Sequence, residues 1–524
     1  MLHFESTYNL TKINAIIALA GFIMGMDITS LIVFLDKSHF IEYFGIPSTF
    51  VQGLLVGSNP LGGLIGCVLY GAMVGKMGRV ALFQLGSIIW LVGSSIAIVS
   101  MNLWMIVISR WVKGLTVGLF SILLVAYVSE IFPKMSKGRA MSFVQFAYTL
   151  SILLVYYSGV AANQFQSHIS FKIIWGVEMF PAILFLLTSC WLPETPQWLT
   201  ISGDYSKAEE IQNKISLSVQ SKDKDLKIPF LNKLELACLY GDGVNNFRYK
   251  DLFGRQCWRQ TLMGFSLQML VQFSGINFLM YYLIYICDIV GLDGNAKIIS
   301  SSIPYGINMF LSIIPVTYLD RIKRKDLTSA GSFPLCTIMF IIGIVMAVNG
   351  HAVEPNGNSL NVNWAVNSEG GPLILGLCFL FVSIFSLTLS CGPWLYTNEI
   401  LPTRAKPKGF ALCMLVGWLT NFILTLLGPL MIVHLKWGTF ILFGSLTLVV
   451  SILIIIFFPE TKDMNIEEID NLYGGFSDES KGRGKHMMPW TSKSLPVSAK
   501  NSADAFGPIE MNQAYETASE YISE

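Results

Sequence analysis

Apolar residues in this chain come in long unbroken runs, not in the alternating or three-and-four spacing of a soluble core. A bilayer interior of about 30 Å needs roughly 20 such residues at about 1.5 Å each. The chain supplies that length twelve times, in runs starting near Asn14, Phe50, Val80, Asn102, Met141, Lys172, Gln260, Ile298, Leu327, Pro372, Gly409 and Trp437 and ending near Phe458. Helices satisfy their own backbone hydrogen bonds in lipid, so the pattern predicts an all-α membrane protein of twelve transmembrane helices. A polar, Lys-rich stretch with a helix-compatible piece at 205–215 interrupts the runs after the sixth. Beyond Asp470 the chain turns to Ser, Lys, Gly and Asn, the composition of a flexible tail. The expected organisation is a terminus at 1–13, a six-helix bundle at 14–200, a helical linker at 201–258, a second six-helix bundle at 259–460 and a tail at 461–524, mostly disordered after 470.

Composition agrees with this reading. Of 524 residues, 53% are hydrophobic and 13% charged, against about 25% charged in a soluble domain. Lys and Arg (35) nearly balance Asp and Glu (34), so no nucleic-acid partner is expected. The nine cysteines show no CxxC and no metal-ligand spacing and read as small core residues; neither a metal nor a cofactor is expected. The first run is too long for a signal-peptide core and has no convincing cleavage site, so it is expected to remain as a span. Charge distribution is more informative than the total. Alternate loops hold Lys76 and Arg79, then Lys134, Lys137 and Arg139, then Arg321, Lys323, Arg324 and Lys325, then Arg404, Lys406 and Lys408. The intervening loops hold Lys37, Lys172, Lys297 and Lys436. Positive loops stay in the cytoplasm, so both termini are expected there.

The two halves echo each other. Glu130-Ile131-Phe132-Pro133 follows the fourth run and Glu399-Ile400-Leu401-Pro402 the tenth; Pro193-Glu194-Thr195 closes the sixth and Pro459-Glu460-Thr461 the twelfth. The offsets, 269 and 266 residues, are nearly equal. A third echo joins the loops at 75–79 and 320–324. A six-plus-six duplication places a solute site between two bundles that rock against each other.

Three ionisable residues fall inside runs, where each needs a partner or water. Asp27, Arg110 and Glu178 come out at one depth, roughly 9 to 12 Å below the outer surface at about 1.5 Å per residue. Two carboxylates around one Arg cannot both stay charged cheaply, so one is expected to exchange a proton near neutral pH; the other reading is a fixed ion pair joining three helices. Lys113, one turn from Arg110, adds charge to the same face without an assigned role.

Several words together resemble the sugar porter family of the major facilitator superfamily, most of all its fungal hexose-transporter-like members. They are YVSEIFP at 127–133, PETPQWL at 193–199, QFSGINFLMYY at 272–282, NEILP at 398–402, and PETK followed by EEID at 459–470. The resemblance implies twelve transmembrane helices in two pseudo-symmetric halves and transport of a sugar or polyol by alternating access, by proton symport or facilitated diffusion. A sugar sensor of the same fold, transporting little, is the alternative. It further implies sugar contacts at Gln145, Gln272, Asn277, Asn308, Trp394 and Trp418, and proton coupling at Asp27, Arg110 and Glu178. Amides donate and accept to hydroxyls and indoles cover the apolar face of a pyranose. A cytoplasmic gate is implied at Glu130 and Glu399, with Arg404, Asp320, Arg321 and Arg324 as partners and Arg139, Glu194 and Glu460 beside them.

Departures from the family pattern bear on these expectations. The loop word GxxxDRxGRR reads GAMVGKMGRV, putting Gly75 at the Asp, Lys76 at the first Arg and Val80 at the last basic position; a weaker latch is expected in the first half. Its counterpart keeps Asp320 and Arg321 but has Lys323 for Gly, PESPR has become PETPQ with Gln197, and Lys137 replaces an Arg displaced to Arg139. In the cavity Val271 and Ile152 stand where polar residues are usual, and Ser390-Cys391 replaces Gly-Pro. Each lost amide removes about 1 kcal/mol of net hydrogen bonding and disfavours an unpaired hydroxyl, so ordinary glucose is a weaker expectation than the family alone suggests. No nucleophile and base, metal cluster or phosphate loop points to an enzyme. Partners are expected to be a sugar or polyol, protons and the lipid bilayer, with the protein a monomer in the plasma membrane, or a vacuolar or other internal one.

Overall fold

Span length dictated by apolar content carries directly into structure. The computed structural model describes residues 6–464 except 36, 46, 134–135, 166, 168, 221–247, 256, 293, 354–363, 403–404 and 463. Among the described residues twelve helices are long and apolar enough to cross a membrane: Leu10–Ser30, Thr49–Met73, Arg79–Ile98, Leu103–Ile131, Lys137–Phe165, Ile169–Trp191, Trp258–Ile289, Ala296–Tyr318, Arg324–Val348, Gly370–Ile400, Lys406–Leu435 and Gly438–Phe457. These are spans one to twelve. The protein is a multi-pass integral membrane protein, and each span begins within four residues of its expected start. Apolar side chains such as Phe310, Val348 and Phe457 remain exposed on the outside, where lipid tails are as apolar as they are.

Within the first half, span one packs on five and span four on both two and three; within the second, nine packs on twelve and seven on eleven. Two seams join the halves, span two with eleven and span five with eight. Spans two and four approach backbone to backbone, because a side chain at Gly62 would strike the Trp111 carbonyl and one at Gly118 the Gly63 carbonyl. Small residues permit such approach where no hydrophobic drive separates helix from lipid.

Several spans are interrupted. Span seven breaks at Ser274-Gly275, where Gly275 takes a φ of 85°; span ten breaks at Leu389–Cys391 and span six at Glu178. An even number of spans puts the start of span one and the end of span twelve on one face, the terminal face. Beyond the bundle lie the helices Ser38–Phe44, Pro196–Ile201 and Tyr205–Gln220, the last extending the piece expected at 205–215. A short antiparallel pair, Gly350–Ala352 with Trp364–Val366, joins spans nine and ten, a feature the apolar pattern did not announce. The eight described cysteines are buried. The tail expected after 470 lies outside the described residues.

Candidate functional site

Charge buried in the first half forms one connected group. Asp27, Arg110, Lys113 and Glu178 are each at most 2% exposed. The Arg110 guanidinium meets the Asp27 carboxylate at 3.1 Å and donates to the Asp27 carbonyl at 3.1 Å. Asn59 of span two donates to the same carboxylate at 2.6 Å. The Lys113 ammonium bridges, pairing with Asp27 and, at 2.8 Å, with Glu178, while the Trp90 ring lies 5.4 Å from it. The expected meeting of Asp27 and Arg110 is present, but Glu178 is joined through Lys113. Two cations therefore face two carboxylates, and the structure gives Lys113, placed by its spacing on the face of Arg110 but without a role, the part of a bridge. Nothing in the sequence marked Asn59.

Residues with sugar-binding chemistry sit at breaks and seams. Gln272 and Asn277 flank the break in span seven, and the Asn277 amide donates to the Gln272 carbonyl oxygen at 2.6 Å. Asn308 is buried and accepts from Ser386 of span ten at 2.8 Å. The Trp418 indole donates across the halves to Ser121 at 3.2 Å. Gln145 is half-buried one turn before Thr149, whose hydroxyl meets Ser312 of span eight at 2.8 Å. Trp394 is half-buried just past the break in span ten. The structure thus puts Gln272 and Asn277 in contact and sets the others on spans five, eight, ten and eleven. Val271 and Ile152 are buried, and Ser142 reaches Cys391 across the halves at 3.7 Å.

On the terminal face each half carries the same set of bonds. In the first, Arg79 pairs with Glu130 at 3.0 Å, Glu194 accepts the Arg79 and Val80 amides at 3.0 Å each, and Tyr127 donates to the Pro193 carbonyl at 2.8 Å. In the second, Arg324 pairs with Glu399 at 3.1 Å, Glu460 accepts the Arg324 and Lys325 amides at 2.9 and 3.1 Å, and Tyr396 donates to the Pro459 carbonyl. The expected weakening of the first-half latch is corrected: Arg79, absent from the candidate partners, holds Glu130. Its position relative to the repeated words was the available signal. Arg139 is exposed and contributes its backbone amide, which with that of Gly138 donates to Asp320 at 2.9 and 2.7 Å across the halves. Burial pushes the Asp320 carboxyl above its ordinary range, against the pull of those amides. Burial likewise pushes Glu194 up, against the helix amides it accepts. Arg321 is exposed, its carbonyl accepting from Lys462 at 2.6 Å. Arg404 lies outside the described residues.

Comparison with known proteins gives this geometry a context. The family model described as "Sugar (and other) transporter" matches residues 5–473. A probable metabolite transport protein of Saccharomyces cerevisiae is 43% identical over 89% of this chain and 87% of its own. High-affinity glucose transporter 1 of Candida albicans is 27% identical over 95% of this chain and 90% of its own. In structure, a proton:xylose symporter of the major facilitator superfamily, bound to 6-bromo-6-deoxy-D-glucose, superposes with a TM-score of 0.74. It is 21% identical and covers 89% of this chain and 99% of its own.

Proposed function

The chain belongs to the sugar (and other) transporter family, and from that premise we propose that it carries a sugar or polyol across a membrane by alternating access, coupled to a proton. The observation that carries the rocking mechanism is the duplicated latch, Arg79–Glu130–Glu194 in one half and Arg324–Glu399–Glu460 in the other. Each set fixes a loop to its own half, so each half moves as a body. What must break when the terminal face opens is the Asp320 link to Gly138 and Arg139 together with the contacts between halves on that side.

Gln145, Gln272, Asn277, Asn308, Trp394 and Trp418 are the groups we assign to the solute, amides for hydroxyls and indoles for the ring face. Buried Val271 and Ile152 favour a solute that presents fewer hydroxyls there, because an unpaired buried hydroxyl costs about 1–3 kcal/mol. The terminal face, with its basic loops, is assigned to the cytoplasm, in the plasma membrane. Asp27 is assigned the transported proton, since it lies buried where spans one, two, four and six converge and touches Arg110.

Labelled hexoses, pentoses and polyols offered to cells without their own sugar carriers test the reading. Saturable uptake of at least one, collapsing with a protonophore, is the expected outcome. Asp27→Asn then abolishes uphill accumulation while exchange persists; unchanged accumulation in that variant removes Asp27 from the coupling step.

A further inference from the structure

The buried charges of the first half are unusual in their arithmetic. Asp27 divides its carboxylate, one oxygen to Lys113 and the other to Arg110 and Asn59. Glu178 takes Lys113 at 2.8 Å. One ammonium is therefore shared between two carboxylates on different helices, and the set is neutral as a whole. The other groups facing it are the Tyr281 and Tyr282 hydroxyl side chains of span seven, within electrostatic reach of Arg110, and the Trp90 ring of span three. None of these adds charge at neutral pH.

Neutrality matters because the four side chains are buried. A proton arriving on Asp27 leaves Lys113 with Glu178 and strands the Arg110 charge without a counter-charge, which a low-dielectric site resists. Without the ammonium, the set would begin with one carboxylate in excess, and a proton would restore balance. We propose that Lys113 governs when the site takes up a proton, as a mobile counter-ion that leaves Asp27 for Glu178 as the proton binds. The step breaks the Lys113–Asp27 ion pair, forms the Asp27 O–H bond and keeps the Lys113–Glu178 pair. Lys113 is a positioning residue here, acting through Asp27 and Glu178. The inference builds on the assignment of Asp27 to proton coupling but is tested separately from it.

The test is a pH titration of purified protein in lipid nanodiscs, across about pH 5 to 9, following the infrared carbonyl band of buried protonated carboxyl groups; no sugar is required. In Lys113→Met the band should appear at a pH higher than in the unaltered protein by one unit or more, since a neighbouring opposite charge is worth about 1–3 units. Lys113→Arg should titrate like the unaltered protein. The double variant Lys113→Met with Glu178→Gln, which again has one cation and one carboxylate, should return toward it. Superimposable titrations of Lys113→Met and the unaltered protein overturn the proposal, as does a double variant that tracks the single one. Should Lys113→Met not fold, Glu178→Gln alone leaves one cation in excess and must move the titration to lower pH; an unmoved midpoint overturns the proposal equally. Protonophore-insensitive uptake by the unaltered protein, alongside an alkaline shift in Lys113→Met, sinks the coupling assignment and leaves this one standing.

Discussion

Gln272 and Asn277 satisfy each other at 2.6 Å, although five residues apart they point to different sides of an unbroken helix. Their contact exists because Gly275 turns the chain between them. A solute hydroxyl that inserts between two such amides exchanges one hydrogen bond for two, which is how a small site gains selectivity without charge. Replacing Gln272 by Leu removes the acceptor and leaves the Asn277 amide half-buried and unpaired. The loss of about 1–2 kcal/mol should raise the KM for the transported sugar roughly 5- to 30-fold, with a smaller change in maximal rate. Initial uptake rates against sugar concentration read this directly, and an unaltered KM would take Gln272 out of the site. The resemblance to the sugar porter family picked these amides out. It could not say which of them pair, since pairing depends on the break. Asp27 and Arg110 stood out on their own as charges in lipid, while the bridging by Lys113 and the donation from Asn59 needed the three-dimensional placement of four helices.

At the level of elements, twelve spans were legible because crossing a bilayer demands a fixed length of apolar sequence, a requirement local enough to read from one run at a time. Breaks within spans are different in kind. Span seven is interrupted where Gly275 adopts its left-handed backbone, with Phe443 and Met339 atoms 3.1 and 3.2 Å from where a Cβ would stand; Gly275 is one of 45 glycines, most of which do nothing of the sort. The three-residue strands at 350–352 and 364–366 are likewise too short for any periodicity to reveal. Gly275→Val should therefore lower thermal stability strongly. Left-handed backbone costs an L residue about 1–2 kcal/mol, and a branched side chain also crowds Phe443. Gly275→Asn, whose side chain tolerates that backbone better, should lose less. Thermal melts of the purified protein measure both, and equal melting temperatures for Val, Asn and Gly would show that the break does not depend on this backbone.

For the molecule as a whole, duplication predicts symmetry, and the terminal face shows where it fails. The latches within each half share the Arg–Glu pair, the Glu on two helix-start amides and the Tyr on a Pro carbonyl, Tyr127 on Pro193 and Tyr396 on Pro459. The link between halves is not repeated. Asp320 accepts the amides of Gly138 and Arg139 at the start of span five. The repeat position of Asp320 is Gly75, exposed, at a φ of 89°, with nothing within 4 Å of where its side chain would begin. The sequence disclosed the missing acid, but it could not show that Arg79 still holds Glu130, so the loss falls on the contact between halves and leaves the first half intact. Closure of this face then leans on Asp320. An acid accepting amides at a helix start is worth about 0.5–2 kcal/mol. Asp320→Ala should thus move the equilibrium toward an open terminal face by roughly 5- to 30-fold for a loss near the upper end of that range. Spin labels on cysteines placed at Lys76 and Lys323, both exposed and on opposite halves, report the separation, the eight described native cysteines being buried. A growing share of long distances in Asp320→Ala, reversed by Asp320→Glu if the longer carboxylate still reaches the amides, is the outcome expected of a latch. An unchanged distance distribution would assign closure to other contacts between the halves, such as that of Ser142 with Cys391.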